Sequence, residues 1–292
     1  MLKYKKTQGK FAMKIIVTGA KGQLGSDVIS QLTANGDEAV CADLPELDIT
    51  DADAVEHFIA ESNADGVIHC AAYTNVDTAE SETVVCRKIN VDGTLNIARS
   101  CEKHGLKLLY ISTDYVFSGE GCEAFETDSP KIPCNFYGKS KLEGENAALE
   151  NCSKCFVVRI SWVFGENGKN FVKTMLRLAK ERSEISVVCD QIGSPTYTKD
   201  LSKLLCNMIA SEKYGIYHAT NENYCSWAEF AAAIMEYSGI ETKIIPIKSS
   251  EYKSVATRPS NSRLSKNSLD ENGFERLPSW QDALKRYLGN MN

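Results

Sequence analysis

The sequence lacks any apolar run close to the roughly 20 residues that a membrane-spanning helix needs. It also lacks a spacing of cysteines typical of metal or disulfide sites. The eleven cysteines are odd in number and scattered, and the one close pair, Cys152 and Cys155, has no second pair or histidine cluster nearby. A chain of 292 residues does not need disulfides to stabilise its core. We therefore expect no metal site, and reduced, mostly buried thiols in a cytoplasmic protein.

An excess of positive charge is missing as well. The chain has 33 basic and 39 acidic residues, for a net charge of −6, so nothing favours nucleic acid or an anionic membrane as a partner. Residues 1–12 are basic and polar and have no apolar segment, which excludes a signal peptide there. Because Met13 begins the first periodic segment, we interpret 1–12 as a disordered extension or a mis-assigned start.

Short apolar runs alternate with helical patterns through the first half of the chain. This alternation predicts a parallel sheet covered by helices on both faces, with ligands bound beyond the carboxyl ends of its strands. The predicted strands are 14–18, 38–42, 66–70, 106–112 and 155–160, and the predicted helices are 26–34, 52–61, 84–104 and one running through Tyr137 to about 150.

The second half is less regular and predicts a smaller, lid-like domain. Helices are predicted at 170–181, 200–210 and 280–288, a strand at 243–247, and a strand at 215–219 that returns to the sheet. Ser226 and Glu229 form a capping box that opens a helix ending near Gly239. We expect a dinucleotide-binding domain of residues 13–160 and about 190–222, and a substrate-binding domain of about 161–189 and 223–292.

A glycine-rich turn follows the first predicted strand. The turn reads Gly19-Ala-Lys-Gly22-Gln23-Leu24-Gly25 and opens the first helix. Glycines there permit a tight turn and leave helix N–H groups facing a pyrophosphate. The spacing is G-x-x-G-x-x-G and not the standard G-x-G-x-x-G, so a glycine turn without a ligand is the alternative for this motif alone.

The second strand ends at an acidic residue, Asp43, which lies 18 residues past the last glycine. An acidic side chain at this place accepts hydrogen bonds from the adenosine ribose and repels a 2′-phosphate, although Lys21 partly offsets that repulsion. NADH is the simpler interpretation and NADPH stays open. Further cofactor contacts are expected from Asp48 and Ile49 after the second strand and from Ala71 and Ala72 after the third, where small residues are also common packing choices.

Tyr137 and Lys141 lie four residues apart on a predicted helix and so share one face. An ammonium beside a phenol favours the phenolate and lowers the phenol pKa from its usual value near ~10. Thr113 lies one loop upstream and would hold a carbonyl oxygen while Tyr137 donates a proton to it. Asn90 is a candidate for relaying protons through water, and a polar residue bonded to backbone is an equal alternative for it.

The chain resembles the extended short-chain dehydrogenases/reductases, and within them the dTDP-4-dehydrorhamnose reductases, from residue 13 onward. The stretches that carry the resemblance are AAYTNVD (71–77), STDYVF (112–117), SWVF (161–164), KNF (169–171), DQIGSPT (190–196) and RPSNSRL (258–264). The resemblance implies an α/β fold, namely a Rossmann-type doubly wound parallel sheet with a smaller mixed α/β substrate-binding domain. It also implies reduction of the C4 ketone of a dTDP-6-deoxy-hexulose by NADPH or NADH, and a homodimer.

Residue roles follow from the same resemblance. Thr113, Tyr137 and Lys141 correspond to the catalytic set, and Lys141 also binds the nicotinamide ribose. The other implied contacts are Gln23, Leu24 and Tyr73 for the cofactor, and Val76, Tyr115, Trp162 and Arg258 for the nucleotide sugar. Thr257 stands where some relatives have a second basic residue, which leaves the phosphate contacts and the exact nucleotide open.

Three competing functions were weighed against this one. A 4,6-dehydratase needs Thr-Asp-Glu, and here Tyr115 follows Asp114, so the base is missing. A 4-epimerase uses the same Thr/Ser-Tyr-Lys set and is disfavoured only by the motifs of the second half. A dinucleotide-binding module that resembles the regulatory subunit of methionine adenosyltransferase is disfavoured because the catalytic set is complete.

Overall fold

The computed structural model describes residues 12–291. Its strands are β1 Lys14–Thr18, β2 Glu38–Ala42, β3 Gly66–His69, β4 Lys107–Thr113, β5 Cys155–Ile160, β6 Val163–Phe164, β7 Glu184–Val188, β8 Ile192–Gly193, β9 Thr196–Tyr197, β10 Gly215–His218, β11 Asn221–Glu222, β12 Cys225–Ser226, β13 Lys243–Ile247, β14 Asn261–Ser262 and β15 Leu277–Ser279. Its α-helices are α1 Gln23–Ala34, α2 Ala52–Ser62, α3 Val76–Ala79, α4 Thr83–Arg87, α5 Thr94–His104, α6 Phe136–Asn151, α7 Phe171–Ala179, α8 Thr198–Ile209, α9 Trp227–Tyr237, α10 Asn267–Glu271 and α11 Trp280–Gly289.

Six strands form one parallel sheet in the order β2-β1-β3-β4-β5-β10. The chain moves from β1 outward to β2 and then crosses to β3 on the other side of β1. This reversal opens a crevice at the carboxyl ends of β1 and β3, where doubly wound sheets bind ligands. The predicted Rossmann-type sheet is therefore confirmed, including the return of the strand near 215 beside β5.

Strand residues point alternately to two apolar layers. Ile15 and Val17 pack in the layer that includes α1 and α8, and Ile16 packs in the layer that includes α2 and α5. A third apolar cluster lies in the second half of the chain, where α7, α9 and α11 surround aromatic residues such as Phe230 and Tyr287. The capping box predicted at Ser226 and Glu229 is present and begins α9.

One predicted helix was wrong in detail, and a strand of five residues was not predicted. The long helix predicted at 84–104 is interrupted by a π-helical segment, Lys88–Gly93. The Asn90 side chain in that segment bonds both the N–H and the carbonyl of Tyr73, and so fixes the segment to the loop after β3. Strand β7 was not predicted, and it pairs in parallel with β13.

The cysteines are free thiols, and six of the eleven are buried. Between residues 12 and 291 no helix is both long and apolar enough to cross a bilayer. Most of the predicted N-terminal extension, residues 1–11, lies outside the described residues.

Candidate active site

A cavity of about 1150 Å³ opens at the carboxyl ends of the central strands. It extends from the glycine turn after β1, past the ends of β3 and β4, to the segment after β5. Most of the residues predicted from sequence line it, namely Gly19, Gly22, Gln23, Leu24, Asp43, Asp48, Ile49, Ala71, Ala72, Val76, Thr113, Tyr115, Tyr137, Lys141 and Trp162. Gly25, Tyr73 and Arg258 do not line it.

The glycine turn is built by close backbone contacts. Gly19 has a positive φ of 62°, and a Cβ there would lie 2.8 Å from the backbone nitrogen of Ala71. A Cβ on Gly25 would lie 2.2 Å from the Gly19 carbonyl oxygen. Gly22 is the N-cap of α1, and no side chain caps that end of the helix. An uncapped helix N-terminus beside a turn without side chains fits a pyrophosphate, so a dinucleotide fits this end of the cavity.

Asp43 ties the glycine turn to the end of β2. One of its carboxylate oxygens accepts the Lys21 backbone N–H at 2.9 Å, and the other accepts the Leu44 N–H at 2.9 Å. The Lys21 ammonium lies at the same edge, where it donates to the Leu44 carbonyl at 2.8 Å and forms an ion pair with Glu46. A carboxylate and an ammonium thus both lie at this edge of the glycine turn.

Tyr137 enters the cavity from the first turn of α6. The side chain of Asn135 caps this helix by accepting the Gly138 N–H at 2.8 Å. A Cβ on Gly138 would lie 2.2 Å from the Tyr115 carbonyl oxygen, so glycine allows α6 to approach the chain after β4. The Tyr115 and Tyr137 rings meet edge to face with centroids 5.5 Å apart, and the Thr113 hydroxyl favours the Tyr137 phenolate by hydrogen bonding.

Lys141 lies one turn further along α6 and is only 3 % exposed. Its ammonium donates to the Ile111 carbonyl at 2.7 Å and lies 4.1 Å from the centre of the Tyr110 ring. Burial lowers the pKa of Lys141 to about 7, and Glu145 opposes that shift. The lysine therefore titrates close to neutral pH.

The lowered pKa predicted for Tyr137 from its spacing to Lys141 is not found, because the net shift of Tyr137 is upward. Burial, together with the nearby Asp114 carboxylate, raises the pKa of Tyr137 well above its usual value. A phenol with a raised pKa keeps its proton at neutral pH. Since a developing alkoxide is a stronger base than a phenolate, such a phenol can still donate that proton to it.

Asp114 is a site residue that the sequence reasoning missed. It lines the cavity and is 3 % exposed. One carboxylate oxygen accepts the Thr113 hydroxyl at 3.0 Å, and within residues 12–291 the other, Oδ2, is buried without a hydrogen bond. Burial raises the pKa of Asp114 to about 6, partly offset by the hydroxyls of Ser262 and Thr113. The position of Asp114 directly after Thr113 was the one feature of the sequence that could have marked it as a site residue.

We expect Asp114→Asn to stabilise the fold more at pH 8 than at pH 5. A carboxyl whose folded-state pKa is raised adds stability only while protonated, and this stability is lost as pH rises through about 6. Because the ordinary pKa of an aspartate is 3.8, part of the penalty is already present at pH 5, so the gain in unfolding free energy on substitution should be larger at pH 8 by about 1.4 kcal/mol. Urea unfolding of both proteins at the two pH values measures this difference. An equal gain at both would mean that Asp114 is not buried as an anion.

Asn90 and Tyr73 occupy structural positions. The Asn90 amide bonds the N–H and the carbonyl of Tyr73, and its nitrogen also donates to the Ser140 hydroxyl at 2.9 Å. Tyr73 turns its hydroxyl to Glu82 at 2.6 Å. These contacts match the alternative considered for Asn90, a buried polar residue bonded to backbone.

Trp162 is held in place at the far end of the cavity. It has a positive φ of 49°, which is a strained conformation for a bulky residue. Its ring stacks on Trp227 with centroids 3.7 Å apart, and a Cβ on Gly193 would lie 2.8 Å from the ring. Strain held by packing on both sides is typical of binding sites. Trp227 was not predicted from sequence, because nothing in its surroundings marks it as the partner of Trp162.

Arg258 lies outside the cavity lining but close to it. Its guanidinium forms an ion pair with Asp77 at 2.8 Å, and its charge favours the phenolate of Tyr115. Residues that line the cavity without having been predicted include two lysines, Lys88 and Lys169, and two valines of α4, Val84 and Val85. Val84 is 80 % exposed, although it is apolar. Lys169 belongs to one of the stretches that carry the family resemblance.

Comparison with known proteins agrees with this geometry. The family model described as RmlD substrate binding domain matches residues 13–292. The spore coat polysaccharide biosynthesis protein SpsK of Bacillus subtilis is 42 % identical, with 94 % of this chain and 96 % of that protein covered. A dTDP-4-dehydrorhamnose reductase of Aggregatibacter actinomycetemcomitans is 41 % identical, covering 93 % of this chain and 97 % of its own.

A solved structure is similarly close. The dTDP-4-dehydrorhamnose reductase of Bacillus anthracis, crystallised in complex with NADP, superposes with a TM-score of 0.94 at 42 % identity, covering 96 % of this chain and all of that chain. Sequence, fold and cavity thus agree, and this chain belongs to the dTDP-4-dehydrorhamnose reductase family of extended short-chain dehydrogenases/reductases.

Proposed function

We propose that this protein reduces the C4 ketone of dTDP-4-dehydro-L-rhamnose to give dTDP-L-rhamnose, with NADPH or NADH as the reductant. The observation that carries the proposal is the convergence of Thr113, Tyr137 and Lys141 on a cavity that begins at a dinucleotide-type glycine turn. Membership of the reductase family supports the choice of substrate. The product implies a role in making cell-surface polysaccharide.

The proposed chemistry assigns one task to each polar group. The bound dinucleotide supplies the hydride. Thr113, whose hydroxyl donates to Asp114 without substrate, would turn that hydroxyl to the ketone oxygen, and Tyr137 donates its proton as negative charge develops on that oxygen. Lys141 binds the nicotinamide ribose and stabilises the phenolate that Tyr137 becomes. The raised pKa of Tyr137 suits this direction, because the residue must carry its proton when the ketone binds.

Binding roles follow the position of each residue along the cavity. The dinucleotide would contact Gly19, Gly22, Gln23, Leu24, Asp43, Asp48, Ile49, Ala71, Ala72, Tyr137 and Lys141. Gly25 and Tyr73 would act indirectly, through the shape of the turn and the loop after β3. The sugar would contact Val76, Thr113, Tyr115 and Trp162. Arg258 would approach the diphosphate after release from Asp77, which now binds its guanidinium.

Domain and assembly assignments are part of the same proposal. Residues 13–160 and about 190–222 would bind the dinucleotide, and about 161–189 and 223–292 would bind the nucleotide sugar. The separate apolar cluster around Phe230 supports this division, although Leu269 and Leu277 pack in the core of the dinucleotide-binding part and Tyr197 packs in the Phe230 cluster. We further propose a cytoplasmic homodimer, as the family resemblance implies.

Oxidation of NADPH and NADH, each tested separately with dTDP-4-dehydro-L-rhamnose generated in situ, tests the function. We expect turnover and formation of dTDP-L-rhamnose, identified by mass and by chromatography against a standard. UDP-4-dehydro sugars serve as comparison substrates. If the protein binds either dinucleotide but oxidises neither with any of these ketones, the non-catalytic binding module becomes the better interpretation.

A further inference from the structure

A buried ion pair lies directly behind the proposed catalytic groups. Arg159 of β5 and Glu145 of α6 are at most 1 % exposed. The guanidinium holds both carboxylate oxygens, with Nε to Oε1 at 2.8 Å and Nη2 to Oε2 at 2.7 Å. The Ser112 hydroxyl adds a bond to Oε1 at 2.5 Å, and Arg159 also donates to the Thr127 carbonyl at 2.8 Å. This geometry offsets the desolvation that makes buried charges costly.

Glu145 of this pair also links the two elements that carry the catalytic groups, β4 and α6. Ser112 directly precedes Thr113 at the end of β4, and Glu145 lies one helical turn beyond Lys141 on α6. The bond from Ser112 to Glu145 therefore fixes the strand end against the helix. Loss of that bond should alter the separation between Thr113 and the groups of α6.

The negative charge of Glu145 also favours the charged form of Lys141. The titratable groups that act on or surround Lys141 come from β3 and the residue after it, α4, β4 and α6, and they are His69, Cys70, Cys86, Tyr110, Tyr137 and Glu145. Glu145 is the one carboxylate in this set. Within residues 12–291 Lys141 has no carboxylate at ion-pair distance, and its ammonium has a single hydrogen bond, to Ile111.

We propose that Glu145 is a positioning residue of this active site, which fixes Thr113 relative to Tyr137 and keeps Lys141 as an ammonium through its negative charge. The inference rests on the proposed function of the site. It goes beyond that function because Glu145 is buried and does not line the cavity that would hold substrate and dinucleotide.

Glu145→Gln tests the electrostatic part, since it removes the charge and keeps an acceptor for Ser112. The Lys141 pKa of about 7 is held up by Glu145 against burial. Without the Glu145 charge, Lys141 should lose its proton at a lower pH. The pH at which kcat falls on the alkaline side, and the pH at which NADPH binding weakens, should therefore both decrease by about one unit. The NADPH dissociation constant is measured by fluorescence without sugar substrate, so this readout remains even if the proposed reaction fails.

Glu143→Gln is the matched control. Glu143 lies on the same helix and pairs with Arg87 at 2.8 Å, but its side chain is 31 % exposed. Removing the Glu143 charge should leave the pH dependence of kcat and that of NADPH binding as they are in the wild type. An equal shift in the control would show a general charge effect and would overturn the proposal.

A second variant covers the case in which Glu145→Gln does not fold, because it leaves Arg159 buried and unpaired. Glu145→Gln combined with Arg159→Met removes both charges, and we expect it to fold and to show a shift in the same direction. A purely structural role would lower kcat by the same factor at every pH. If the pH dependence of kcat and of NADPH binding is unchanged in whichever variant folds, the proposal is overturned.

Discussion

Replacing Tyr137 by phenylalanine should reduce kcat by about 10²- to 10⁴-fold, which is the usual contribution of a positioned general acid. The substitution removes the only group that we assign as proton donor. It keeps the aromatic ring that meets Tyr115 with centroids 5.5 Å apart, so the fold and the cavity should persist. The dissociation constant for NADPH should therefore stay within about twofold of the wild type. Steady-state rates and a fluorescence titration measure the two quantities.

Tyr214→Phe is a suitable control for this variant. Tyr214 directly precedes β10, at the amino edge of the sheet and away from the cavity, and its hydroxyl meets Glu212. The control should turn over at the wild-type rate. If Tyr137→Phe kept more than a tenth of the wild-type kcat, another group would have to supply the proton. Asp114 would then be the first candidate, because burial gives it a pKa of about 6.

The strands of the central sheet were predictable because each is a short apolar run, and the inner strands β1, β3, β4 and β5 are buried on both faces. Their predicted limits differ from the observed ones by at most one residue, as for β4 at Lys107–Thr113. The short strands β6, β8 and β9 escaped prediction. A pairing of two residues leaves no periodicity to detect, and these strands are fixed by tertiary contacts such as that of the Trp162 carbonyl with the Thr196 N–H.

Site residues could be predicted where they belong to a motif of fixed spacing. They could not be predicted where their role depends on a contact with a residue far away in the sequence. Tyr137 and Lys141 share a helix face, so their spacing reveals them. Glu145 lies one turn further on the same helix, but its role depends on Arg159, which β5 contributes. Sequence spacing cannot show that pairing. The pKa of Tyr137 was predicted with the wrong sign for the same reason, because the spacing shows the ammonium and not the burial.

Gly138 and Gly144 are two glycines inside a helix whose purpose becomes clear only from the packing of that helix. A Cβ on Gly144 would lie 2.4 Å from the Asn90 carbonyl oxygen and from the Tyr110 hydroxyl. Together with Gly138, this glycine lets α6 lie close to the π-helical segment and to β4. The approach of backbone to backbone, and not any bond to ligand, places Tyr137 and Lys141 at the cavity.

Gly25→Ala is expected to have the second large effect, by weakening NADPH binding at least about tenfold, or 1.4 kcal/mol. The added Cβ would lie 2.2 Å from the Gly19 carbonyl oxygen and 2.8 Å from the Gly19 carbonyl carbon, so backbone must move. That same oxygen accepts the Gly22 N–H at 2.9 Å. Moving it disturbs the turn whose N–H groups would face the pyrophosphate.

Gly289→Ala is the matched control, since Gly289 is also helical and a Cβ there meets nothing within 4 Å. It should leave NADPH binding unchanged and alter the unfolding free energy by no more than about 1 kcal/mol. Gly25→Ala should in addition lower that free energy by about 1–3 kcal/mol, the usual cost of an overpacked site. If Gly25→Ala folded and bound NADPH as tightly as the wild type, the glycine turn would not hold the pyrophosphate. The dinucleotide would then have to enter the cavity from the side of Trp162.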